Sequence, residues 1–282
     1  MMSTHSSHFT SSSWLRWSGR TDAGTRRSNN EDAFFGLQFD AREAFHLGRV
    51  GEAPHGTMDL AFGVSDGVGG ARAGEFASRV AVQGTIEFLP RLFQRYPREA
   101  EASFAEGLEE LFDRIHRGLQ FVGNSYEECG GMETTLSLCW FRPGRMHFAH
   151  IGDSRIYYLP AQSGGIQQVS EDDTHVGWLF RTGQLSEWES RTHPRRKLLQ
   201  KALGGSNQFV QPQVGSVAYE RGDLFVICSD GIVEGLTNQG LLEQLRESRI
   251  DPPGDDFALR LVSAAVRSDG SDNTTAVVVA AV

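Results

Sequence analysis

The sequence predicts an α+β fold, and three observations support that expectation. Two stretches carry apolar residues at spacings of three and four. In Gly74 to Phe93, Phe76, Val80, Ala81 and Phe88 share a face, with Pro90 near the helix end. In the second, Phe104, Leu108, Leu111, Phe112, Ile115, Leu119 and Val122 form a core-facing stripe. From Thr134 the period shortens, and Thr134 to Phe141, Met146 to Ile151 and Ile156 to Leu159 read as consecutive strands, Pro143-Gly144 making the first turn. Further apolar runs, at Leu60 to Val64, Leu224 to Cys228 and Ala276 to Val282, read as buried strands.

In chain order, residues 1–13 are rich in Ser, Thr and His, have little to bury, and are expected to form a disordered tail. An ordered region, residues 14–282, is expected to follow as a single domain. It opens with Trp14 to Arg20 as an edge strand. The charged loop Asp22 to Asp32 leads into Phe34 and Phe35, which should hold those charges close to the core. Asp40 to Met58 shows no clear period and reads as irregular. Glu171 to Gly204 has the weakest periodicity and exceeds the usual connection length. It contains His175, Trp178, Trp188 and His193, and is expected to be a short helix-rich flap over a cleft. Asn238 to Arg246 and Asp256 to Arg267 read as helices, the latter burying Phe257, Leu261, Val262 and Ala265.

With 282 residues and 39% hydrophobic content, the chain can fill a sizeable core. A formal charge of -9 argues against nucleic-acid binding, which recruits clustered cations. Cys129, Cys139 and Cys228 lack zinc-ligand spacing and read as reduced thiols. No secretory pattern opens the chain, and Ala276 to Val282 falls far short of the roughly 20 residues that span a bilayer. A cytoplasmic protein without a membrane partner is expected.

The chemistry lies at strand ends. Leu60 to Ser65 stops at Asp66, followed by Gly67 and, after Val68, by Gly69 and Gly70; a carboxylate beside a bare carbonyl suits a hard cation. The pattern recurs at Ser229-Asp230-Gly231 and in the turn Gly152-Asp153-Ser154-Arg155, while Asp272 precedes its strand. Any one of these could be a plain turn. If Asp66, Asp230 and Asp272 converge, with Asp153, Glu31 and Asp32 beside them, they cannot all stay ionised without cations. No Cys or His cluster accompanies them, so Mn²⁺ or Mg²⁺ is preferred. Two such ions about 4 Å apart repel by roughly 16 kcal/mol at an effective dielectric of about 20. They therefore need a bridging carboxylate, for which Asp66 is the candidate. Water between two such ions is acidified and aimed for in-line attack. The Arg27 guanidinium could grip phosphoryl oxygens.

Taken together, Gly24-x-x-Arg27-x-x-Asn30-Glu31-Asp32, Asp66-Gly67-Val68-Gly69-Gly70, Gly152-Asp153-Ser154-Arg155, Ser229-Asp230-Gly231 and Asp272-Asn273-x-Thr275 resemble the protein phosphatase 2C family of metal-dependent serine/threonine phosphatases, most closely its stand-alone bacterial branch. The motifs come in the family's order and span nearly the whole ordered chain. The resemblance implies a four-layer α-β-β-α sandwich of two antiparallel sheets, each covered by a helix pair. It implies that Asp66 bridges two ions, that the Gly67 carbonyl binds one, and that Asp230 and Asp272 complete the other. Glu31 and Asp32 would act through bound water, and Asp153 would join a third metal site. The implied partners are phosphorylated proteins and a Ser/Thr kinase whose work the enzyme reverses.

Two departures stand out. Val68 and Ala71 occupy the place where the family often carries a histidine for the leaving alkoxide, which leaves His150, His175 and His193 as candidate donors. Glu133 stands where relatives often have glycine. A catalytically silent phosphoprotein-binding module and a metal-binding structural domain are the competing readings.

Overall fold

Strands buried on both faces form the centre of the computed structural model, which describes residues 14–69, 71–95, 101–206, 210–246 and 256–282. The expected tail 1–13 lies outside these residues. The first half runs β1 (Trp14–Asp22), β2 (Asp32–Phe39), β3 (Ala44–His46), β4 (Val50–Pro54), β5 (Asp59–Val68), α1 (Ala71–Arg95) and α2 (Glu101–Ser125). Four strands follow: β6 (Glu133–Thr134), β7 (Leu136–Arg142), β8 (Arg145–Ile151) and β9 (Arg155–Leu159). The rest comprises β10 (Gln167–Gln168), α3 (His175–Arg181), α4 (Glu187–Thr192), β11 (Leu203–Gly204), β12 (Gln213–Ala218), β13 (Leu224–Cys228), α5 (Asp230–Gly235), α6 (Asn238–Arg246), α7 (Phe257–Ser268) and β14 (Thr274–Ala281).

These strands make two antiparallel sheets. One has six strands in the order β10-β9-β13-β14-β1-β4; the other follows β11-β6-β5-β7-β8-β12, with β2 pairing both β5 and β3. Side chains alternate between the faces of a strand, and here both faces are apolar. Leu60, Phe62 and Val64 of β5 meet Phe225 of β13 and Val277 and Val279 of β14 between the sheets. On the outer face of the larger sheet, Leu136, Leu138 and Trp140 pack beneath Leu108, Leu111 and Phe112 of α2. On the outer face of the smaller sheet, Val226, Ala276 and Val278 meet Leu241 of α6 and Leu261 and Val262 of α7. Three apolar seams thus join four layers, α-β-β-α. Burying each large side chain contributes about 1.5–3 kcal/mol.

Several local expectations differ from what is found. β1 is an interior strand, paired with β14 on one side and β4 on the other, rather than an edge. The stretch 40–58 is not irregular: β3 and β4 form because β2 and β1 offer unpaired edges to a sequence with no strong preference of its own. Pro90 lies inside α1, which continues to Arg95. Proline there forgoes one helix hydrogen bond, and Leu89 and Leu92 hold the helix on the sheet instead. Phe76 is exposed, and Ala77 takes the core position beside it. The stripe expected on α2 is buried as drawn, with Val122 partly covered.

Candidate active site

Two strand pairs deliver the acidic residues. In the larger sheet, the register of β2 against β5 places Asp32 directly opposite Asp66. In the smaller sheet, Cys228 at the end of β13 pairs with Ala276 near the start of β14. Asp230, just after β13, and Asp272, just before β14, therefore leave from the same edge. Like charges facing each other across neighbouring strands are destabilising, so this placement calls for a counter-charge.

Close backbone approaches and polar staples fix the edge. A Cβ on Gly67 would lie 2.0 Å from the Gly74 carbonyl oxygen, and one on Gly74 would lie 2.4 Å from Glu31 Oε2. Only glycines allow β5, α1 and the Glu31 side chain to meet here. Asn273 is the main staple. Its Oδ1 accepts from the Glu31 backbone N–H at 2.8 Å, and its Nδ2 donates to the Ala23 and Asn29 carbonyls at 3.0 and 2.9 Å. Ser229 Oγ donates to Asp32 Oδ2 at 2.7 Å and accepts from the Thr275 N–H at 3.0 Å. The Asp66 carbonyl accepts from the Thr135 N–H at 2.8 Å and from Thr134 Oγ1 at 2.8 Å, fixing the backbone beneath that carboxylate.

The electrostatics follow from packing these groups together away from water. Burial, with Asp230 and Asp272 adding to it, pushes the Asp32 carboxyl up to about 7, although Ser229 and Thr275 oppose the shift. Burial also holds Asp66 well above the ordinary carboxylate range, reinforced by Asp32, Asp230, Asp153 and Asp272. Asp153 is pushed well up by burial and by Asp230 and Asp172. Asp230 rises by burial too, against the pull of Lys197. Burial would also raise Asp272, but hydrogen bonds and charge from Lys197 and Arg27 outweigh it and hold its carboxyl below the usual value. Five carboxylates therefore sense one another at this edge.

Two cations answer them. Arg27 Nη2 lies 2.9 Å from Asp272, and its side chain is half exposed. Lys197, in the turn following α4, places its ammonium 2.7 Å from Asp272 Oδ2, 2.9 Å from Glu234 Oε2 and 3.0 Å from Asp230 Oδ2. Neither Lys197 nor Glu234 was singled out from the sequence. For Glu234 a signal existed: Ser229-Asp230-Gly231 opens a helix with Ser229 at its N-cap position, and a carboxylate four residues on shares Asp230's face. For Lys197 there was none, because the approach of the flap is a tertiary event.

The donor set fits hard divalent cations. Among the described residues, Asp230, Glu234 and Asp272 each offer an oxygen within 4.8 Å of the others. Asp32 Oδ1 and Asp230 Oδ1 are buried without a hydrogen-bond partner, a costly state for a charged group that a cation would relieve. All the donors are oxygens, as Mn²⁺ and Mg²⁺ require. Asp153 shares a cavity under the flap with Asp230, Glu234, Lys197 and Arg155. The Arg155 guanidinium forms a two-pronged bond to Asp172, tying β9 to the flap's base.

The three histidines named as candidate donors sit in different surroundings. His150 is fully buried, its Nδ1 bonded to Ser137 Oγ at 2.8 Å and its Nε2 to the Gly152 carbonyl at 3.0 Å; burial lowers its pKa. His175 stacks on Trp178, and His193 Nδ1 accepts from the Arg195 N–H. Glu133 sits opposite Val68 on β6, against Gly205.

A family model described as protein phosphatase 2C matches residues 53–262. The chain is 30% identical over 267 residues to the serine/threonine protein phosphatase PstP of Mycobacterium tuberculosis, a match covering 94% of this chain and 44% of that protein. It thus spans under half the length of that relative. Against the protein phosphatase PhpP of Streptococcus pneumoniae it is 29% identical, over 92% of this chain and 94% of that protein. The structure of the S. agalactiae serine/threonine phosphatase superposes with a TM-score of 0.77 at 27% identity, covering 94% and 99% of the two chains. The PstP catalytic domain, solved in complex with two manganese ions, gives 0.74 at 28% identity, covering 96% and 99%. The four-layer sandwich with carboxylates at its strand ends defines the class. The chain belongs to the protein phosphatase 2C family, and the relatives named here are bacterial.

Proposed function

We propose that this protein hydrolyses phosphoserine and phosphothreonine on proteins, using two Mn²⁺ or Mg²⁺ ions, and so reverses a bacterial Ser/Thr kinase. The observation that carries this reading is the meeting of Asp32, Asp66, Asp230 and Asp272 at one edge, two of them with buried, unpartnered oxygens. Asp66, the Gly67 carbonyl, Asp230 and Asp272 would hold the two ions, and Asp153 with Asp230 a third. When bound, such ions acidify water and neutralise charge on phosphoryl oxygens. The half-exposed Arg27 offers its planar fork to the phosphate. Asp32, anchored by Ser229, and Glu31, anchored through Asn273, would order water. Residues 14–282 would form one catalytic domain with the flap at 171–204. Among the described residues no helix is long and apolar enough to cross a membrane; the setting proposed for the protein and its phosphoprotein substrates is the cytoplasm.

One observation favours a second reading, a silent phosphoprotein-binding module: Lys197 already supplies positive charge to Asp230, Glu234 and Asp272. Hydrolysis of a phosphothreonine peptide by the purified protein separates the two. Turnover that requires Mn²⁺ and stops on adding chelator is the expected result. Binding without turnover at any Mn²⁺ concentration would establish the module instead.

A further inference from the structure

Of the 27 basic residues in this chain only two are lysines, Lys197 and Lys201, and both lie in the flap. Arginine spreads its charge over a plane, whereas a lysine ammonium is a compact point charge with several donors. That compact group is what the flap inserts among Asp230, Glu234 and Asp272, at 3.0, 2.9 and 2.7 Å. It contacts Oδ2 of Asp230 and Oδ2 of Asp272, oxygens of the two side chains assigned to metal. A divalent ion would approach such oxygens to about 2.0–2.1 Å and would repel an ammonium held on the same atoms. The turn that carries it is fixed on one side by the Arg196 N–H bonded to the His193 carbonyl at 3.1 Å, and on the other by Arg196 paired with Glu234 at 3.0 Å. The side chain is nonetheless 40% exposed, so it can swing out into water.

We propose that Lys197 is a built-in competitor for the divalent ion. Flap closure places the ammonium on Asp230 and Asp272, metal entry expels it, and metal affinity is thereby coupled to the position of the flap. The proposal rests on Asp230 and Asp272 being metal ligands, as argued above. Charges of like sign on the same oxygens repel, so anything that draws the flap away strengthens metal binding, and metal binding in turn frees the flap by the same factor. A phosphorylated, acidic substrate that attracts Lys197 and Arg196 would do this. The metal site would then load in the presence of substrate, and the lysine would keep its carboxylates neutralised at other times.

Calorimetric titration of Mn²⁺ into the wild-type protein and into Lys197→Met tests the competition without measuring activity. The variant is expected to bind Mn²⁺ about tenfold more tightly, the equivalent of one charge-assisted contact no longer displaced. It should melt below the wild type in chelator, where the carboxylates have lost their counter-charge, and recover in saturating Mn²⁺. Affinities equal within twofold would overturn the competition while leaving the metal site intact. If Mn²⁺ bound neither protein, the metal assignment and the proposal would fall together. Should the variant not fold, acetylation of the wild-type lysines followed by mass spectrometry gives the same answer. Mn²⁺ is expected to raise the labelling rate of Lys197 severalfold against Lys201, which pairs with Asp173. An unchanged ratio would sink the proposal.

Discussion

The floor of the site and the flap above it are held by different kinds of bond. The floor is cross-linked by short, buried hydrogen bonds between residues far apart in sequence, such as Asn273 to Glu31 and Ser229 to Asp32. The flap is held at its base by ion pairs, Arg155 with Asp172 and Lys201 with Asp173, and toward the site by Arg196 with Glu234. It also leaves Trp178, Trp188 and Leu198 exposed. Buried polar networks specify one arrangement because a half-satisfied network is so costly. Ion pairs with one half-exposed partner, such as those of Arg196 and Lys201, contribute roughly 0–1 kcal/mol each and can exchange partners. The largely buried, two-pronged Arg155–Asp172 pair is instead a fixed anchor at the base. The floor is therefore built to hold carboxylates in place, and the flap to shift over them.

The sharpest way to break that contrast is to remove a carboxylate from the floor. Asp230→Asn keeps the shape but loses a charge, and turnover of a phosphothreonine peptide should fall on the order of 10³-fold, with the far-ultraviolet circular dichroism unchanged. Near-normal turnover in excess Mn²⁺ would remove Asp230 from the metal site. Next comes the staple. Asn273→Ala removes the hydrogen bonds to the Glu31 N–H and to the Ala23 and Asn29 carbonyls, and denaturant unfolding should show a loss of about 2–3 kcal/mol. A loss under about 0.5 kcal/mol would mean that the floor is not held by this network. Arg27→Ala should lower kcat/KM by roughly ten- to a hundredfold, matching a charge-assisted contact of about 1.5–3 kcal/mol. An unchanged value would exclude Arg27 as the phosphate clamp. The smallest effect belongs to the flap: Trp188→Ala, at a side chain 73% exposed, should change stability by no more than about 0.5 kcal/mol. A larger loss would show that the flap is packed as firmly as the floor.

Much of the floor was legible in the sequence because its strand ends carry local signatures: Asp66 and Asp230 each close an apolar run and are followed by glycine, while Asp272 stands just before another such run. The order of those signatures along the chain also resembled one family closely enough to imply the four layers. What escaped was decided at a distance. β3 and β4 form from a stretch with no period because neighbouring strands present edges to them. β1 reads as an edge but becomes central once β4 arrives. Glu234 needed the knowledge that a helix begins at Asp230 itself, about two turns before the helices the periodicity suggested. Phe76 fitted a helical stripe, yet α1 turns Ala77 toward the sheet instead. Lys197 lies in a segment with no pattern at all, and its place is set by three carboxylates from other parts of the chain.

β14 lies between β1 and β13, and Asp272 and Asn273 stand immediately before it. A ribosome that has released the chain only through α7 has therefore produced two separated sheet margins, an unstapled loop at 23–31 and an acidic edge still lacking Asp272. Such non-local pairing forms late in folding. The acidic edge is thus completed only when β14 enters between β1 and β13 and brings Asp272 to Asp230 and Glu234.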